Sequence, residues 1–572
     1  MRVGVARVPV VFRKKGLPLY GYGRLSHRAA GAETDLFARA FVFESGSKRN
    51  AILILETYTV SHHLKKDIIA RCYVLNADAG LTDANVLCCG QNTHSAPGGT
   101  SHYAMMNLSC GGFVPSVFEA YAEAGAEALL KACDDLEEAS LYLNAGEFTE
   151  DADVAFNRNL DAYNRNPEVQ QRDENTTHLA TDRLMKQLHI ASADGTHKGV
   201  INWFGVQGTS ISPENTRIHS DNKGYAASLL EHDQADQPNF VAGFACEACA
   251  DISPNHHGRA KWWPRGKFED EFKSAYFNGF LQFEKSKHLL EVADEQIALN
   301  DTIDFEQQYF NLSAVGCAPD FTPDHKPHAC GQAAAGLALL DGTPVDNPGL
   351  DTVSTTLIAS WVKYRNVLRT LPIFVRKSSR SEFTKLTEAH GPKKILAELH
   401  ENRILGFRNL NRLRLPLPLS DIGEELKRQY NAGGLKEHTW FPAIIPLQIL
   451  IIGDVAIVAF PGEITTIAAT RLKKSILAKL LNRGILDVII CQNANEYSGY
   501  TTTFEEYQEP SYLRGMNFFG QYTLAAMQTA FNSICINLLK PEVLRQSEGT
   551  IRPPDFSDTE LKARTIEQRS MS

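Results

Sequence analysis

The chain has 572 residues, a formal net charge of −9, and a composition of 43% hydrophobic and 22% charged residues. These values are ordinary for a folded globular protein and argue against fibrous and intrinsically disordered classes. Because nucleic-acid binding needs a basic surface, the acidic balance also argues against nucleic acid as the main partner.

The first third of the chain is predicted to contain several strands and one long helix. Four short apolar segments are typical of buried strands: residues 4–10, 38–44, 51–58 and 84–89. Residues 113–136 have apolar residues at helical spacing and Pro115 near the start, which predicts an amphipathic helix. The basic residues of the N-terminal segment follow its apolar run, so we interpret this segment as a strand and not as a signal peptide.

The later part of the chain continues the alternation of helices and strands. Helices are predicted over residues 271–297, 350–371, 393–404 and 464–484, the last ending at Gly484. The most apolar region, residues 441–463, is too interrupted to cross a bilayer and predicts two buried strands around the turn at Gly453 and Asp454. We therefore expect one mixed α/β domain over residues 1–540, with mixed sheets and surrounding helices, and a short polar tail over residues 541–572.

Eleven cysteines are scattered along the chain without the spacing of a disulfide framework. An odd number of unpatterned cysteines favours free thiols and a cytoplasmic location. The pair Cys246 and Cys249 forms a C-x-x-C pattern, for which packing is favoured over a redox role. The loop from Cys317 to Cys330 includes two histidines, so it could bind a metal, although a mobile surface loop is the favoured interpretation.

Four separated stretches share a pattern in which a buried run is followed by a dense cluster of glycine and polar residues. They are QNTHSAPGG (91–99), NWFGVQGTSISPENTRIHSDNKGYA (202–226), AFPGEITT (459–466) and NANEYSGYTTTFEEYQEPSYLRG (493–515). Loops that follow core strands are where functional side chains are usually presented. A single histidine in the first stretch does not by itself indicate a metal site.

Together with LYGYGRLSHRAAG (19–31), FNRNLDAYNRNP (156–167) and ADISPN (250–255), these stretches resemble the neutral ceramidases, in the order in which that family has them. The family cleaves the amide bond of N-acylsphingosine and depends on zinc. The resemblance implies a large catalytic domain of the neutral ceramidase type. It also implies that the immunoglobulin-like C-terminal domain of the family has no counterpart here, since the chain stops soon after TIRPPDF.

The resemblance assigns the metal positions of the family to four residues, of which only two are retained. The family's zinc-binding glutamate and tyrosine correspond to Glu463 and Tyr500, whereas its two histidines correspond to Asn92 and Gln207. Amide oxygens are poor zinc ligands, so we expect zinc binding to be weak. The cofactor stays open at this point, because an all-oxygen set suits Mg²⁺ or Ca²⁺ better but contains a single carboxylate.

The resemblance implies catalytic roles for four residues: His94, Arg158, Tyr512 and Ser253. His94 could act as a general base toward water, while the arginine and the tyrosine could polarise the carbonyl or protonate the leaving amine. The serine would contact the substrate. Gly21 and Asp251 are implied as substrate-binding positions.

Three hypotheses about the site follow, and a fourth concerns a non-enzymatic role. In the first, the protein is an amidohydrolase that acts on ceramide or a related N-acyl lipid or amide, and in the second its pocket binds such a ligand without hydrolysis. In the third, the alignment register is wrong and His102 or His219 reaches the site. A scaffold role would instead predict an occluded cavity. The expected partner is a small-molecule or lipid substrate, no transmembrane segment is expected, and the oligomeric state is not predicted.

Overall fold

The structure is a computed structural model that describes residues 1–12, 16–237, 239–256, 259–260, 263–264, 266–292, 296–343, 345–371, 377–414, 419–545 and 551–566. Its helices are α1 (His62–Leu75), α2 (Pro115–Asp134), α3 (Leu160–Tyr163), α4 (Asp221–Asp233), α5 (Glu271–Glu291), α6 (Thr352–Thr370), α7 (Lys377–His390), α8 (Ser420–Asn431), α9 (Thr466–Leu480), α10 (Phe504–Tyr507), α11 (Tyr512–Met516), α12 (Thr523–Leu538) and α13 (Asp558–Arg564).

The larger of two main sheets has nine strands. In spatial order they are Val241–Cys246, His197–Phe204, Leu184–Ser192, Glu137–Glu147, Arg2–Pro9, Phe37–Ser45, Lys48–Leu55 and Val86–Gly90, with Ile297–Ala298 paired to Glu137–Glu147. Helices α1 and α2 pack on one part of its outer face, and α4 and α5 pack on the other. The strands Val86–Gly90 and Val241–Cys246 are entirely apolar and buried because both faces of the sheet are covered there.

A second sheet packs against the inner face of the first. Its four strands are Ile303–Asn311, Ile444–Ile452, Val455–Phe460 and Asp487–Gln492. Between the two sheets lies an apolar layer that includes Phe41, Ile201 and Ile457. The outer face of the second sheet is covered by α9 and α12. The result is a mixed α/β fold of helix, sheet, sheet and helix layers, as the sequence predicts.

Short strand pairs surround these layers. They are Gly31–Ala32 with Arg217–Ile218, Phe156–Asn157 with Ile252–Ser253, Arg259–Ala260 with Trp263–Pro264, Gly316–Cys317 with His328–Ala329, Ala334–Gly336 with Ile395–Glu398 and then Arg403–Ile404, Gly342–Thr343 with Asn347–Pro348, and Glu463–Ile464 with Tyr500–Thr501. The prediction of a helix over residues 393–404 is wrong. Its apolar residues pair with Ala334–Gly336, and tertiary pairing outweighs the local helical pattern.

Other predicted elements agree with the structure. Residues 441–463 contain two antiparallel buried strands that turn at Gly453, whose φ is +60°. The helix predicted to end at Gly484 is α9, followed by one turn of 3₁₀ helix and the glycine in a left-handed conformation. The described part of the tail packs on the body, since the Phe113 backbone bonds to Arg564 and Ile566. None of the helices in the described part of the chain is long and apolar enough to cross a bilayer.

Three parallel strand pairs position the site. Lys48–Leu55 pairs with Val86–Gly90, His197–Phe204 with Val241–Cys246, and Val455–Phe460 with Asp487–Gln492. Parallel strands place their carboxyl ends at one edge of a sheet, which is where open α/β sheets bind ligands. Thr93 bridges to Gly208, the end of the strand Val86–Gly90 bridges through Cys89 to Ala494, and Glu463–Ile464 pairs with Tyr500–Thr501. The four polar stretches of the sequence therefore meet there.

Candidate active site

The carboxylate of Glu463 lies at the centre of the polar cluster formed by these loops. It follows Gly462, whose φ of +141° lets the chain turn sharply after the strand. One carboxylate oxygen, Oε1, accepts hydrogen bonds from the hydroxyls of Tyr58 at 2.6 Å and Tyr497 at 2.9 Å, and Oε2 accepts one from the Gln207 amide. The side chain is fully buried. Three neutral donors therefore use both of its oxygens.

Asn92 and Gln207, the two positions to which the sequence resemblance assigns the family's histidines, lie beside each other. Asn92 has a φ of +79°, a left-handed conformation that asparagine tolerates better than most residues, and its Oδ1 accepts the Gly208 backbone N–H at 3.1 Å. The Gln207 amide also donates to the Cys249 carbonyl at 3.0 Å. The Asn92 Nδ2 and the Gln207 Oε1 are both buried without a protein partner. The pair thus leaves one donor and one acceptor unused inside the cluster.

This donor set fits a zinc ion poorly. Zinc sites use imidazole, thiolate or carboxylate groups, whereas here Glu463 and Tyr500 are joined by two neutral amides. The Gln207 amide presents N–H to Glu463, and the Asn92 oxygen is already used by the backbone. A hard ion would meet a carboxylate whose oxygens both accept hydrogen bonds from protein donors. The four residues are therefore a poor ligand set for either kind of ion.

His94 is held in one tautomer next to this cluster. Its Nδ1 lies 2.9 Å from the backbone oxygen of Asn92, and since that oxygen can only accept, Nδ1 carries the hydrogen and Nε2 keeps its lone pair. The ring packs against Tyr22 and Tyr58, with centroids 4.9 and 4.7 Å away. Burial lowers the pKa of His94 from its ordinary value, although nearby Glu463 opposes the shift. The ring is consequently a neutral base near pH 7.

Gly21 provides the room that the His94 ring needs. A Cβ added at Gly21 would lie 2.3 Å from Cδ2 of the ring, and the glycine has a φ of +122°. Both facts exclude an ordinary side chain at this position. Gly21 is thus a contact of the histidine as well as part of the cavity wall.

Arg158 connects the cluster to a second buried carboxylate that the sequence did not reveal. Its guanidinium donates to Asp346 at 2.5 Å, to Tyr500 Oη at 3.1 Å, and to the Ala250 carbonyl at 2.7 Å. The contacts raise the pKa of Arg158 well above its ordinary value, despite burial that acts in the opposite direction. The other Asp346 donors are Ser253 at 2.6 Å, Thr209 at 2.9 Å and Asn255 at 2.9 Å. The predicted catalytic serine therefore donates its hydroxyl hydrogen to a carboxylate.

Asp251 lies behind the site and supports it. Its oxygens accept hydrogen bonds from Thr466 and from Asn157 Nδ2 at 2.9 Å, and its backbone carbonyl accepts the Arg158 N–H at 2.8 Å. Burial raises the pKa of Asp251 to about 6, and burial also raises that of Glu506 to about 7, with Asp251 contributing. In this structure Asp251 fixes the Arg158 segment.

The two tyrosines of the predicted site contact each other. The Tyr500 and Tyr512 rings meet edge to face, with centroids 5.8 Å apart. Burial raises the pKa of both hydroxyls, that of Tyr512 to about 12, so both stay protonated near neutral pH. Tyr512 also lines the cavity described next.

A cavity of about 720 Å³ opens next to the cluster. Its inner end is lined by Gly21, Tyr22, Tyr58, Tyr497 and Tyr512, and its remaining walls are mainly apolar and include Met105, Leu340, Ile358, Trp361 and Phe441. A scaffold role predicts an occluded cavity at this place, which the structure does not show. The arrangement joins an apolar chamber to a hydrogen-bonded polar end.

The structure gathers most predicted residues and adds several. Gly21, Asn92, His94, Arg158, Gln207, Asp251, Ser253, Glu463, Tyr500 and Tyr512 all belong to this cluster or its supports. The rings of His102 and His219 lie elsewhere, the first stacked on His63 at 4.4 Å and the second bonded to Tyr225 at 3.2 Å. Sequence reasoning missed Tyr58 and Tyr497, although each ends or follows a predicted strand. Asp346 gave no signal, because it sits in an ordinary turn.

The loop from Cys317 to Cys330 packs against the rest of the protein. Both cysteines are buried, and Gly316–Cys317 pairs with His328–Ala329. His328 stacks on Tyr522 with centroids 4.1 Å apart. Among the described residues, the side chains that lie close enough together to hold a metal ion are those of Glu437, His438 and Glu560. None of them belongs to this loop, so the loop gives no sign of a metal site.

Comparisons with known proteins identify the family of this chain. The family model for the neutral/alkaline non-lysosomal ceramidase N-terminal region matches residues 1–406 and 427–529. The chain belongs to this ceramidase family. Among its relatives, the neutral ceramidase of Pseudomonas aeruginosa is 28% identical over 546 residues, covering 94% of this chain and 72% of the relative. The neutral ceramidase of Mycobacterium tuberculosis is 28% identical over 528 residues, covering 89% and 73%.

Solved ceramidase structures share the fold of this family member. A ceramidase complexed with C2 superposes with a TM-score of 0.78 at 27% identity, covering 97% of this chain and 77% of that one. The crystal structure of the neutral ceramidase from Pseudomonas aeruginosa gives a TM-score of 0.74 at 26% identity, covering 97% and 76%. The mixed α/β fold predicted from the sequence is therefore the ceramidase fold.

Proposed function

We propose that this protein hydrolyses the amide bond of an N-acyl lipid, with ceramide as the first substrate to test. The observation that supports this most directly is the apolar cavity whose inner end contacts His94, Glu463 and Tyr500 through shared tyrosines. An acyl chain fits apolar walls, and an amide needs polar groups at one end. Membership of the ceramidase family supports the same reaction.

The proposed amide hydrolysis uses side chains of the protein itself. Nε2 of His94 takes a proton from water as the water oxygen attacks the amide carbon. Arg158 and the protonated hydroxyls of Tyr500 and Tyr512 supply hydrogen bonds for the developing oxyanion. The His94 proton then passes to the amine nitrogen as the C–N bond breaks, which releases a fatty acid and a free amine.

The direct test is product release from N-acylsphingosine in detergent micelles. We expect wild-type protein to release fatty acid and long-chain amine in equal amounts, and His94→Ala to lower kcat by roughly 100-fold or more. His232→Ala, which removes an exposed histidine at the end of α4, is the matched control and should keep the wild-type rate. Saturable binding of the lipid without product would contradict the hydrolase assignment and favour a binding protein.

We also propose a cytoplasmic location. All eleven cysteines are free thiols, and ten of them are buried. Free thiols persist in a reducing compartment. Fractionation of the native host should place the protein with cytosolic markers, and recovery from an oxidising compartment would contradict this.

A further inference from the structure

Helix α6 has an unusual exposed face. Val353, Leu357, Tyr364 and Val367 are 51 to 69% exposed, and their spacing of four, seven and three residues places all four on one side of the helix. We call these four residues the α6 stripe. Single exposed apolar residues are common, but an aligned set over most of a helix indicates a surface that contacts something apolar.

The same helix forms part of the cavity wall. Ile358 and Trp361 on another side of α6 line the cavity, and Val362 is buried. The stripe and the lipid-sized chamber are therefore separated by the width of one helix. Other strongly exposed apolar residues, such as Val74 and Val543, line no part of that cavity.

The charge of α6 restricts what can cover the stripe. The helix contains no Asp or Glu and three cations, in a chain whose net charge is −9. Arg365 bonds to the Leu405 carbonyl and Arg369 pairs with Glu398, while Lys363 is exposed beside the stripe. An apolar face edged by a cation matches a phospholipid surface, where acyl chains lie below phosphate groups.

We propose that the α6 stripe docks on a lipid bilayer, so that a membrane lipid enters the cavity along this helix. The inference rests on the proposed function, in which the ligand is a lipid amide. A second copy of the chain is a weaker candidate, because four side chains in a row present far less than the roughly 800 Å² per partner of a stable dimer interface.

Vesicle flotation tests the docking directly. Wild-type protein should float with phosphatidylcholine vesicles, and Leu357→Glu with Val367→Glu should lower the bound fraction about tenfold or more, since each substitution replaces an inserted apolar side chain with a charge. Val74→Glu with Val543→Glu is the matched control, as both side chains are highly exposed, and it should bind as wild type does. No flotation of the wild type, or equal flotation of both double variants, would overturn the proposal.

A second pair of measurements separates docking from catalysis and from self-association. A short-chain, water-soluble N-acyl amide should be hydrolysed equally by the wild type and the stripe variant, whereas hydrolysis of a vesicle-borne amide should fall with flotation. If the wild type hydrolyses neither amide but flotation still depends on the stripe, the proposed function fails and docking stands. Sedimentation in which the stripe variant alone becomes monomeric, with vesicle binding unchanged, would identify a dimer surface and overturn docking.

Discussion

Two buried carboxylates lie in the same site but are held differently. Glu463 accepts hydrogen bonds from two phenols and an amide, all neutral. Asp346 accepts three hydrogen bonds from neutral groups as well, but its other oxygen pairs with the Arg158 guanidinium. Both residues are at most 1% exposed, so solvent compensates neither charge.

We infer from this difference that Asp346 is a structural group and that Glu463 takes part in the proposed reaction. The Asp346 charge is balanced by Arg158, and the pair anchors Ser253 and Tyr500. Within the part of the chain that the structure describes, no cation hydrogen-bonds to Glu463. A buried carboxylate without a direct cation favours any positive charge that forms next to it, such as a protonated His94.

The largest effect is expected from introducing two histidines beside Glu463, at the positions to which the sequence resemblance assigns the family's zinc ligands. Asn92→His with Gln207→His would add two imidazoles to the retained carboxylate and phenol, and we expect zinc affinity to rise by at least about a thousandfold. Titration with zinc against a chelating indicator measures it. His62→Ala is a control for nonspecific zinc binding by other histidines. Unchanged zinc affinity would show that these positions do not converge on one ion.

Substitution of Asp346 tests whether this second carboxylate has a structural role. Asp346→Asn leaves the buried Arg158 charge uncompensated, and we expect a loss of about 3–5 kcal/mol in unfolding free energy. Urea denaturation followed by circular dichroism measures this loss. Glu127→Gln removes one partner of an exposed pair with Lys131 and should cost less than about 1 kcal/mol. Equal losses for both variants would remove the distinction between the two regions.

The substitution Glu463→Gln tests whether this carboxylate takes part in the proposed reaction. The substitution Glu496→Gln, at another buried carboxyl group, is its control. Glu463→Gln keeps the size but removes the charge, and kcat should fall on the order of 100-fold because a protonated His94 loses its stabilising partner. Burial raises the pKa of Glu496 to about 8, so that this carboxyl is largely protonated at pH 7 and Glu496→Gln should keep the wild-type rate. Equal rates for both variants would exclude Glu463 from the reaction.

The smallest effect is expected in the pH dependence of stability, which involves Asp251, the residue that supports the Arg158 segment. The folded-state pKa values of Asp251 and Glu506, about 6 and 7, lie above their ordinary values of 3.8 and 4.5. The folded state therefore holds protons that the unfolded state has released, and the free energy of unfolding falls as pH rises from about 4 through 7. Urea midpoints across this range measure the slope, and Asp251→Asn should flatten it. A slope of the opposite sign would contradict the assignment.

The sequence by itself determined most of the elements and most of the candidate site. The apolar runs before the four polar stretches are long enough to be buried strands, and glycine or proline ends three of the four runs, so local chemistry largely fixes where the functional loops begin. The motifs around His94, Arg158, Glu463 and Tyr500 are contiguous, and contiguous residues keep their order in any alignment. The inference that Asn92 and Gln207 stand at the family's histidine positions rests on the same order of motifs.

Only the tertiary structure decided which groups compensate each other. Asp346 pairs with Arg158 across 188 positions of the chain, and Tyr58 reaches Glu463 across 405. Such contacts depend on how three parallel strand pairs converge, and no local pattern encodes that convergence. The strand at Ile395–Glu398 and the exposure of the α6 stripe likewise depend on tertiary packing and on no local pattern. Pairing and burial are properties of the packed layers, whereas periodicity only states which residues share a face.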